Sequence, residues 1–494
     1  MPLPIFNYAE THPERTAILS DNQTYSYADL LQAAEGFALQ LLQAQTDLAE
    51  ARVAYMVKPG FDYVSTQWGI WKAGGVAVPL CISYPLPSLQ YVLEDTQAEI
   101  VVVSPEFESI LGEYTREKGL RLIVLTENRP QLEGNLPEID LARRAMILYT
   151  SGTTNLPKGV VTTHQNIAAQ IESLLQAWEY SASDHTLCIL PLHHVHGIIN
   201  VVSCTLWAGG TVEFMPHFDA KKVLDLFLHG NLNVFMAVPT IYFKLIEAVE
   251  SLDAATQTQL RKRLLAFRLM ISGSAALPVS VMEKWEKISG HRLLERYGMT
   301  EIGMAISNPY RGERRAGYIG QPLPGVQVRL VDEQQNELAE GEVGEIQIKG
   351  DTVFLEYWQR PEATAQSFTP DGWFMTGDTA IVENGYYRIL GRTSMDIIKS
   401  GGYKLSALEI EEVLRTHLVI LDCAVVGLPN EEWGETVAAA LVTKSEIDLQ
   451  ELNGWMRERM PAYRVPRQYL ILEELPRNAM GKVTKKDVKV LFNP

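Results

Sequence analysis

Hydrophobic residues in the first two thirds of the chain alternate between helix-like segments and short aliphatic runs. Three of these runs, Ile100–Val103, Leu122–Leu125 and Ala145–Leu148, are typical of strands that are buried on both faces of a parallel sheet. Farther along, apolar residues recur at every second position in Val326–Val331 and Gly344–Lys349, which is the period of a half-buried strand. We therefore predict an α/β fold with layered α/β subdomains and one small antiparallel sheet or β-barrel-like subdomain.

The last hundred residues predict a separate α+β domain. Ala407–Leu414 has the apolar spacing of an amphipathic helix, and Ala424–Gly427 and Val437–Val442 are apolar runs of strand length. A chain of 494 residues is also too long for one hydrophobic core. We place the boundary so that residues 1–391 form a large N-terminal domain and residues 392–494 a small C-terminal domain.

Composition and charge exclude several classes of protein. The chain has 46% hydrophobic and 21% charged residues, as in an ordinary globular protein, and no apolar run reaches membrane-spanning length. Its net charge of -17 and pI near 5.2 argue against nucleic acid as a partner, because phosphate backbones bind basic surfaces. The scattered cysteines lack metal-site spacing, which indicates reduced thiols. With no recognisable leader, we expect a cytoplasmic protein without membrane insertion, either monomer or dimer.

The segment Tyr149–Gly159 has the composition of a phosphate-binding loop between two strands. Backbone N–H groups and hydroxyls without bulky neighbours can close on phosphate oxygens, and a lysine ammonium adds positive charge. The spacing does not fit a Walker P-loop, and by composition alone an ordinary polar turn is the alternative. The predicted ATP-binding residues of this segment are Thr150, Ser151, Gly152, Thr153, Thr154 and Lys158.

The same string resembles the phosphate loop of the adenylate-forming superfamily, which includes acyl- and aryl-CoA synthetases, luciferases and the adenylation domains of peptide synthetases. One departure is Asn155, where that family usually has glycine; asparagine tolerates positive φ well. Further motifs follow in the family's order up to residue 482. The resemblance implies ATP, Mg²⁺ and CoA, a first half-reaction that forms an acyl-adenylate, and a second that transfers the acyl group to CoA after a mobile C-terminal domain has rotated.

Residues 296–301 form the most specific of the further motifs. Thr300 can donate to a phosphate, and Glu301 is an oxygen ligand suited to Mg²⁺. The alternative is a loop followed by an N-capped helix with no ligand. By resemblance, the residues of this motif that contact ATP are Tyr297, whose flat face suits the base, Gly298, Met299 and Thr300.

Two shorter motifs complete the nucleotide site by resemblance. Gly273, Ser274 and Ala275 follow an apolar run and would lie against the adenine. Asp378, in a Thr-Gly-Asp turn, would accept hydrogen bonds from the ribose hydroxyls, and Arg392 would also reach the ribose. Taken alone, each motif is an ordinary turn.

Residues 190–197 place three histidines beside a glycine. Without the resemblance, they are either structural histidines in a turn or part of a metal site, although no cysteine or carboxylate completes such a site. By resemblance the segment lines the acid pocket, and His194 directs the substrate carboxylate toward the α-phosphate. His196 is a second candidate.

Residues of the C-terminal domain receive their roles only from the resemblance. Ser394 stands at the hinge, where the family commonly has Asp or Lys, and Lys399, Gly401 and Gly402 would line the CoA site. Lys482, otherwise one more solvated lysine, would bridge the carboxylate and the α-phosphate as charge builds there. The predicted catalytic residues are therefore His194, Thr300, Glu301 and Lys482.

The strings at 238–242, 295–301 and 391–409 are most similar to those of malonyl-CoA synthetases. A short dicarboxylate needs a cation for its second carboxylate, and Arg296 and Lys244 are the two candidates. The alternative is that Arg296 pairs with a structural acid and Lys244 is solvated. We predict malonate as the acid, with methylmalonate as a variant that the sequence does not distinguish.

Three other functions remain open from the sequence. A ligase for short-chain or aryl monocarboxylates would share every motif except the cationic pocket. A free-standing amino-acid adenylation enzyme would need an acidic pocket residue for the ammonium and would load a carrier protein instead of CoA. A non-catalytic ATP-binding relative would be expected to lack Lys482, Glu301 or the phosphate loop, all of which are present.

Overall fold

The computed structural model describes residues 3–126, 132–150, 157–392, 395–400, 403–430, 432–477 and 483–492. The strands of the first 310 residues are β1 (Thr16–Ser20), β2 (Gln23–Ser26), β3 (Arg52–Met56), β4 (Val76–Pro79), β5 (Ile100–Val103), β6 (Arg121–Val124), β7 (Arg144–Thr150), β8 (Lys158–Thr163), β9 (His185–Cys188), β10 (Thr211–Phe214), β11 (Val234–Ala237), β12 (Leu269–Ser272), β13 (Leu294–Met299) and β14 (Gly303–Ser307). The later strands are β15 (Gln321–Pro322), β16 (Gln327–Val331), β17 (Val343–Lys349), β18 (Glu356–Tyr357), β19 (Phe374–Glu383), β20 (Tyr386–Arg392), β21 (Ile397–Ser400), β22 (Tyr403–Ser406), β23 (Ile420–Asn430), β24 (Gly434–Thr443) and β25 (Gln468–Ile471).

The α-helices are α1 (Asn7–Thr11), α2 (Tyr27–Leu42), α3 (Phe61–Lys72), α4 (Leu86–Thr96), α5 (Glu108–Glu117), α6 (His164–Trp178), α7 (Cys204–Trp207), α8 (Ala220–His229), α9 (Pro239–Glu250), α10 (Ala254–Leu264), α11 (Val279–Ser289), α12 (Pro361–Gln366), α13 (Ala407–Arg415), α14 (Leu449–Arg457) and α15 (Lys485–Leu491). Short 3₁₀ turns occur at Pro4–Phe6, Pro105–Phe107 and Ala462–Arg464, and a π-helix at His196–Ser203. In the described part of the chain, no helix is both long and apolar enough to span a bilayer.

The first large sheet contains the aliphatic runs that the sequence predicts as parallel strands. Its order is β18-β8-β7-β4-β3-β5-β6, in which β3 to β7 are parallel to one another, β8 is antiparallel to β7, and β18 is antiparallel to β8 at the edge. Alternate residues of β3 enter different cores: Val53 and Tyr55 join the main core, whereas Ala54 and Met56 join the core on the opposite face. Both faces are therefore covered, which is why these strands are apolar throughout.

The second large sheet has the order β15-β14-β13-β12-β11-β9-β10-β1-β2. Its central strands are parallel, and the hairpins β13–β14 and β1–β2 are antiparallel. Met236 of β11 belongs to the core shared with the first sheet, whereas Phe235 and Ala237 face a separate core under α8 to α11. The predicted layered α/β fold is confirmed.

The period-two segments form a third sheet, in the order β16-β17-β19-β20, with all neighbours antiparallel. The predicted small antiparallel subdomain is therefore present. Its edge strands β16 and β20 are not paired with each other in the described residues, so of the two predicted forms the pairing corresponds to the sheet.

The C-terminal residues form a fourth sheet, β22-β21-β24-β23, to which β25 adds in parallel beside β24. Helix α13 packs on it, and Ile410 and Leu414 of this helix belong to its core. The predicted helix and both predicted strands are present, and the α+β character is confirmed. The predicted boundary between residues 391 and 392 falls at the last residue pair of β20 and stays a prediction.

A buried ion pair joins the starts of β9 and β12. Arg268 Nε donates to Asp184 Oδ1 at 2.6 Å, Nη2 contacts the second carboxylate oxygen, and Nη1 donates to the carbonyl of Trp178 at 2.7 Å. The Asp184 side chain is completely buried, whereas an analogous pair between Arg311 and Glu179 lies on the surface.

We expect Arg268→Met to lower the free energy of unfolding by about 3–5 kcal/mol, because it leaves the Asp184 carboxylate buried without its cation. Urea unfolding followed by tryptophan fluorescence measures this. The matched control, Arg311→Met, removes an exposed pair and should leave the midpoint unchanged. Equal midpoints for the two variants would contradict the structural role of the buried pair.

Candidate active site

The two sides of the predicted phosphate loop are strands β7 and β8. They are antiparallel, and Thr150 lies opposite Lys158. The ammonium of Lys158 lies 4.8 Å from the ring centroid of Tyr357 on the neighbouring strand β18. The structure thus places both ends of the loop at one sheet edge. The loop residues themselves, Ser151, Gly152, Thr153, Thr154 and Asn155, lie outside the described residues.

Helix α4 contacts both ends of this loop. The hydroxyl of Tyr149 donates to Asp95 Oδ2 at 2.6 Å, and the hydroxyl of Tyr91 donates to the carbonyl of Pro157 at 2.7 Å. Asp95 is itself fixed by Arg360 Nη2, 2.6 Å from its Oδ1. Sequence reasoning missed Tyr91 and Asp95, since only the tertiary fold brings α4 to the loop.

The turn of the β13–β14 hairpin carries Thr300 and Glu301, so the alternative of a loop followed by a helix is wrong. Glu301 is 6% exposed, and its carboxylate accepts a hydrogen bond from the Tyr357 hydroxyl at 2.9 Å. Burial raises the pKa of Glu301, and the positive charges of Arg392 and Lys158 only partly offset this. The carboxylate therefore lies near two cations, at the same end of the site as the phosphate loop.

Three residues predicted to bind the nucleoside are in direct contact. The hydroxyl of Tyr297 donates to Asp378 Oδ2 at 2.6 Å, and Arg392 Nε lies 3.0 Å from Asp378 Oδ1. Asp378 and Arg392 are paired residues of β19 and β20. Gly298 is required by the hairpin itself, because a Cβ there would lie 2.1 Å from the carbonyl oxygen of Gly303. Adenine stacking on Tyr297 stays a prediction.

The loop after β12 carries Gly273, Ser274 and Ala275. Ser274 has a positive φ of 68°, which is uncommon for a residue with a side chain and is often associated with functional sites. A Cβ on Gly273 would lie 2.4 Å from Cζ of Arg296, so only glycine allows the guanidinium to pack against the backbone here. The predicted adenine loop therefore also forms one wall of the cationic site.

Arg296 is a buried cation that forms no ion pair within the described residues. The residue is 4% exposed, and its Nε and Nη2 have no hydrogen-bond partner in the same part of the chain. Burial lowers the pKa of Arg296 to about 10, which leaves the group charged at neutral pH. The neighbouring Glu295 points to the other face of β13 and accepts from the Leu277 N–H at 2.9 Å. Glu295 is therefore not the structural acid of the alternative, and no described acid takes that place.

The two histidines of the predicted acid pocket are uncharged at neutral pH. Burial lowers the pKa of His194 to about 4, and burial together with the charge of Arg296 holds the pKa of His196 well below its ordinary value. Nε2 of each ring has no hydrogen-bond partner in the described part of the chain, whereas His196 Nδ1 lies 3.0 Å from Ser274 Oγ. The pocket thus combines one permanent cation with neutral hydrogen-bonding groups.

The π-helix that follows His194 was not anticipated from the sequence. His196 is its first residue, and the side-chain amide of Asn200, fully buried in it, has an Nδ2 without a partner among the described atoms. π-Helical turns are rare and occur frequently at functional sites. A hydrophobic run such as Ile198–Ser203 gives no sequence signal that distinguishes this geometry from an α-helix.

Other predicted residues lie elsewhere or are not described. Lys244 is exposed on α9, with its ammonium 5.9 Å from the ring centroid of Phe218. Lys399 is exposed on β21, and its N–H donates to Glu435 Oε2 at 2.9 Å. Ser394, Gly401, Gly402 and Lys482 lie outside the described residues. Within the described ranges, no cluster of three or more His, Cys, Asp or Glu side chains could hold a metal ion by itself.

Comparisons with known proteins agree with this geometry. The AMP-binding enzyme family matches residues 5–358, and the AMP-binding enzyme C-terminal domain matches residues 409–482. The mitochondrial malonate–CoA ligase of Xenopus laevis is 42% identical over an alignment that covers 100% of this chain and 92% of that protein.

Two solved structures are similar over nearly the whole length. ATP-bound MatB from Rhodopseudomonas palustris has a TM-score of 0.90 and 32% identity, with 100% of this chain and 99% of that chain covered. A malonyl-CoA ligase in a ternary product complex with methylmalonyl-CoA and AMP has a TM-score of 0.70 and 34% identity, with 96% and 100% covered. Together with the matched motifs, these findings confirm the resemblance seen in the sequence: the chain belongs to the AMP-binding enzyme family.

Proposed function

We propose that this protein is an AMP-forming acid–CoA ligase that converts malonate, ATP and CoA into malonyl-CoA, AMP and pyrophosphate. The observation that carries the choice of acid is the buried guanidinium of Arg296, whose Nε and Nη2 have no partner in the part of the chain that the structure describes. A second carboxylate on the substrate would neutralise it through charge-assisted hydrogen bonds. The names of the similar ligases support the same acid.

ATP binds, in this proposal, between the phosphate loop and the β13–β14 hairpin. Lys158 and Thr300 contact the phosphates, and Asp378 accepts from the ribose hydroxyls. Glu301 would hold Mg²⁺, which commonly takes one or two carboxylates and completes its shell with phosphate oxygens and water. The buried Glu301 carboxylate between Tyr357 and the phosphate loop fits that requirement. When bound, Mg²⁺ neutralises charge on the phosphates.

Malonate binds with one carboxylate at Arg296 and the other toward the α-phosphate. Neutral His194 orients the reacting carboxylate by hydrogen bonding without adding a charge of its own. An oxygen of that carboxylate then attacks the α-phosphorus, and the bond to the β-phosphate oxygen breaks, which releases pyrophosphate. Lys482 would stabilise the charge that builds on the α-phosphate.

The second half-reaction uses the same site for a different acceptor. The sulfur of CoA attacks the acyl carbon of malonyl-adenylate, the bond to the AMP oxygen breaks, and the thiol proton passes to solvent. We propose that residues 392–494 act as the mobile domain, with Ser394 as the hinge. Lys399, Gly401 and Gly402 would line the CoA site after rotation, and moving parts of this kind are common in enzymes with two steps.

The other functions are less well supported by the site. A monocarboxylate substrate would leave the Arg296 charge buried and unpaired. An amino-acid substrate would need an ionised acid in the pocket, but Glu295 points away from it, and burial raises the pKa of Glu295 to about 8. Lys244 is exposed, so we assign the second carboxylate to Arg296 and keep Lys244 as an untested alternative.

For the cellular location we propose the cytoplasm, whereas the Xenopus relative is named as mitochondrial. Immunodetection in fractionated cells of the source organism distinguishes the two compartments.

The substrate assignment predicts a clear order of activities. Thioester formation measured with malonate, methylmalonate, succinate, acetate, butyrate, benzoate and amino acids should be greatest with malonate. Acetate should be poorer by about two to four orders of magnitude in kcat/KM, since an uncompensated buried charge costs about 3–5 kcal/mol. Arg296→Met should lower kcat/KM for malonate about 10- to 150-fold, which corresponds to a charge-assisted hydrogen bond of about 1.5–3 kcal/mol.

Lys244→Met is the matched control, since it removes the other candidate cation, and it should leave malonate activity within about twofold. A larger effect of Lys244→Met than of Arg296→Met would indicate that the second carboxylate of malonate binds at α9 instead. A preference for acetate, butyrate or benzoate would refute malonate while leaving the ligase in place. Adenylate without any thioester would indicate a carrier protein as the acceptor.

The assignment of Glu301 predicts a pH dependence of Mg·ATP binding. Only the ionised carboxylate binds Mg²⁺, and the pKa of Glu301 is raised by burial, so its ionised fraction falls as pH is lowered toward that pKa. The KM for Mg·ATP in ATP–pyrophosphate exchange should therefore rise as the pH is lowered from neutrality, and at a higher pH than for a carboxyl with an ordinary pKa. In Glu301→Gln it should be higher at every pH, and the ratio of variant to wild type should shrink as pH falls. A constant ratio would contradict a titrating Glu301.

A further inference from the structure

Lys485, Asp396 and Glu411 form a buried charged group in the C-terminal part of the chain, called here the Lys485 cluster. Nζ of Lys485 lies 2.6 Å from Asp396 Oδ1 and 2.7 Å from Glu411 Oε1. The side chains of Lys485 and Glu411 are only 9% and 4% exposed. None of the three residues belongs to the site described above.

Each carboxylate of the Lys485 cluster is held by a second contact. Asp396 Oδ2 accepts from the N–H of Arg392 at 2.9 Å, and Glu411 Oε1 accepts from the N–H of Val425 at 2.9 Å. Burial lowers the pKa of Lys485, but Glu411 and Asp396 raise it by more, so the ammonium stays charged. The ammonium therefore links two fixed carboxylates. Glu411 of α13 is held by β23, and Asp396 is held by Arg392 at the end of β20.

Arg392 connects the Lys485 cluster with the proposed ribose site. Its backbone exchanges two hydrogen bonds with Asp396, since Asp396 N–H also donates to the Arg392 carbonyl at 2.8 Å. Its side chain contacts Asp378, which accepts from Tyr297. A continuous chain of polar contacts thus runs from the nucleotide residues to Lys485.

Lys485 is the first residue of α15 and follows Lys482 by three residues. Three residues span at most about 11 Å, so the place of Lys485 limits where Lys482 can act. With seven residues, α15 is too short to be stable without tertiary contacts. Val488 anchors its middle in a small core with Val426, and Lys485 anchors its start.

We propose that Lys485 is a positioning residue for adenylate formation, which ties the start of α15, and with it the attachment point of Lys482, to Asp396 and through Asp396 to the backbone of Arg392. This inference rests on the proposed function, in which Lys482 acts in the first half-reaction only. A buried ion pair adds little net stability compared with apolar residues of the same volume. Instead, the Lys485 cluster fixes the distance between the start of α15 and Asp396.

The test compares the two half-reactions in Lys485→Met. Malonate-dependent ATP–pyrophosphate exchange reports adenylation, and thioester formation from enzyme-bound adenylate after a CoA pulse reports the second step. We expect kcat for exchange to fall up to about 10²-fold, as for a displacement of the catalytic group by about 1 Å, with KM for ATP and malonate within about twofold. The second step should change less than threefold, and Lys485→Arg should recover most of the exchange rate.

Lys489→Met is the matched control, because Lys489 lies on the same helix, is 34% exposed and only 3.9 Å from its partner Glu435. It should leave both half-reactions unchanged. Asp396→Asn keeps the Lys485–Glu411 contact and should also slow exchange selectively. It tests the same role if the Lys485→Met protein does not fold.

Parallel losses in both half-reactions, or no loss in either, would overturn the positioning role. So would misfolding of both variants, since the role would then be structural only. Malonate-dependent exchange by the wild-type protein is measured first, and its absence would refute the proposed function. If the wild type is active but the variants lose both half-reactions equally, only the role of Lys485 is refuted.

Discussion

The buried guanidinium of Arg296 is the constraint on which the account of the site depends. It lies on β13 against the bare backbone of Gly273, charged and without a partner among the described residues. An isolated charge in such a place is costly unless it is paired and hydrogen-bonded. The site is therefore incomplete without an anion, and an acid with a second carboxylate completes it.

The groups around Arg296 do not neutralise its charge, so the pocket retains its preference for an anionic ligand. The nearest carboxylate in sequence, Glu295, points to the other side of the strand and bonds to the backbone of Leu277. His194 and His196 are neutral because they are buried, so they add hydrogen bonds without competing for the anion. The same hairpin continues four and five residues farther to Thr300 and Glu301, and the charge of Lys158, at the end of the phosphate loop, acts on Glu301. One short element thus places the anchor for the acid and the ligands for ATP at a fixed separation.

Much of the fold followed from periodicity, because strands buried on both faces leave continuous aliphatic runs such as Ile100–Val103. The antiparallel sheet and helix α13 were predicted for the same reason. The choice between a sheet and a barrel-like form stayed open in the sequence, since the strand period carries no information on whether the edge strands meet. The contact between Tyr297 and Asp378 joins motifs assigned to the same nucleoside, whereas the roles of Tyr91 and Asp95 depend on tertiary contacts that no local pattern encodes. Lys244 and Arg296 were equivalent as cations in the sequence, and only burial separates them.

The most direct test of the central claim replaces the charge on the substrate and leaves its shape unchanged. Malonamate, the monoamide of malonate, keeps the reacting carboxylate and nearly the same volume but removes the second negative charge. The account predicts that wild-type kcat/KM in ATP–pyrophosphate exchange is about 10²-fold or more lower for malonamate than for malonate, and that Arg296→Met removes most of this difference. Equal kcat/KM for the two acids in the wild-type protein would contradict a pocket built around the unpaired charge of Arg296.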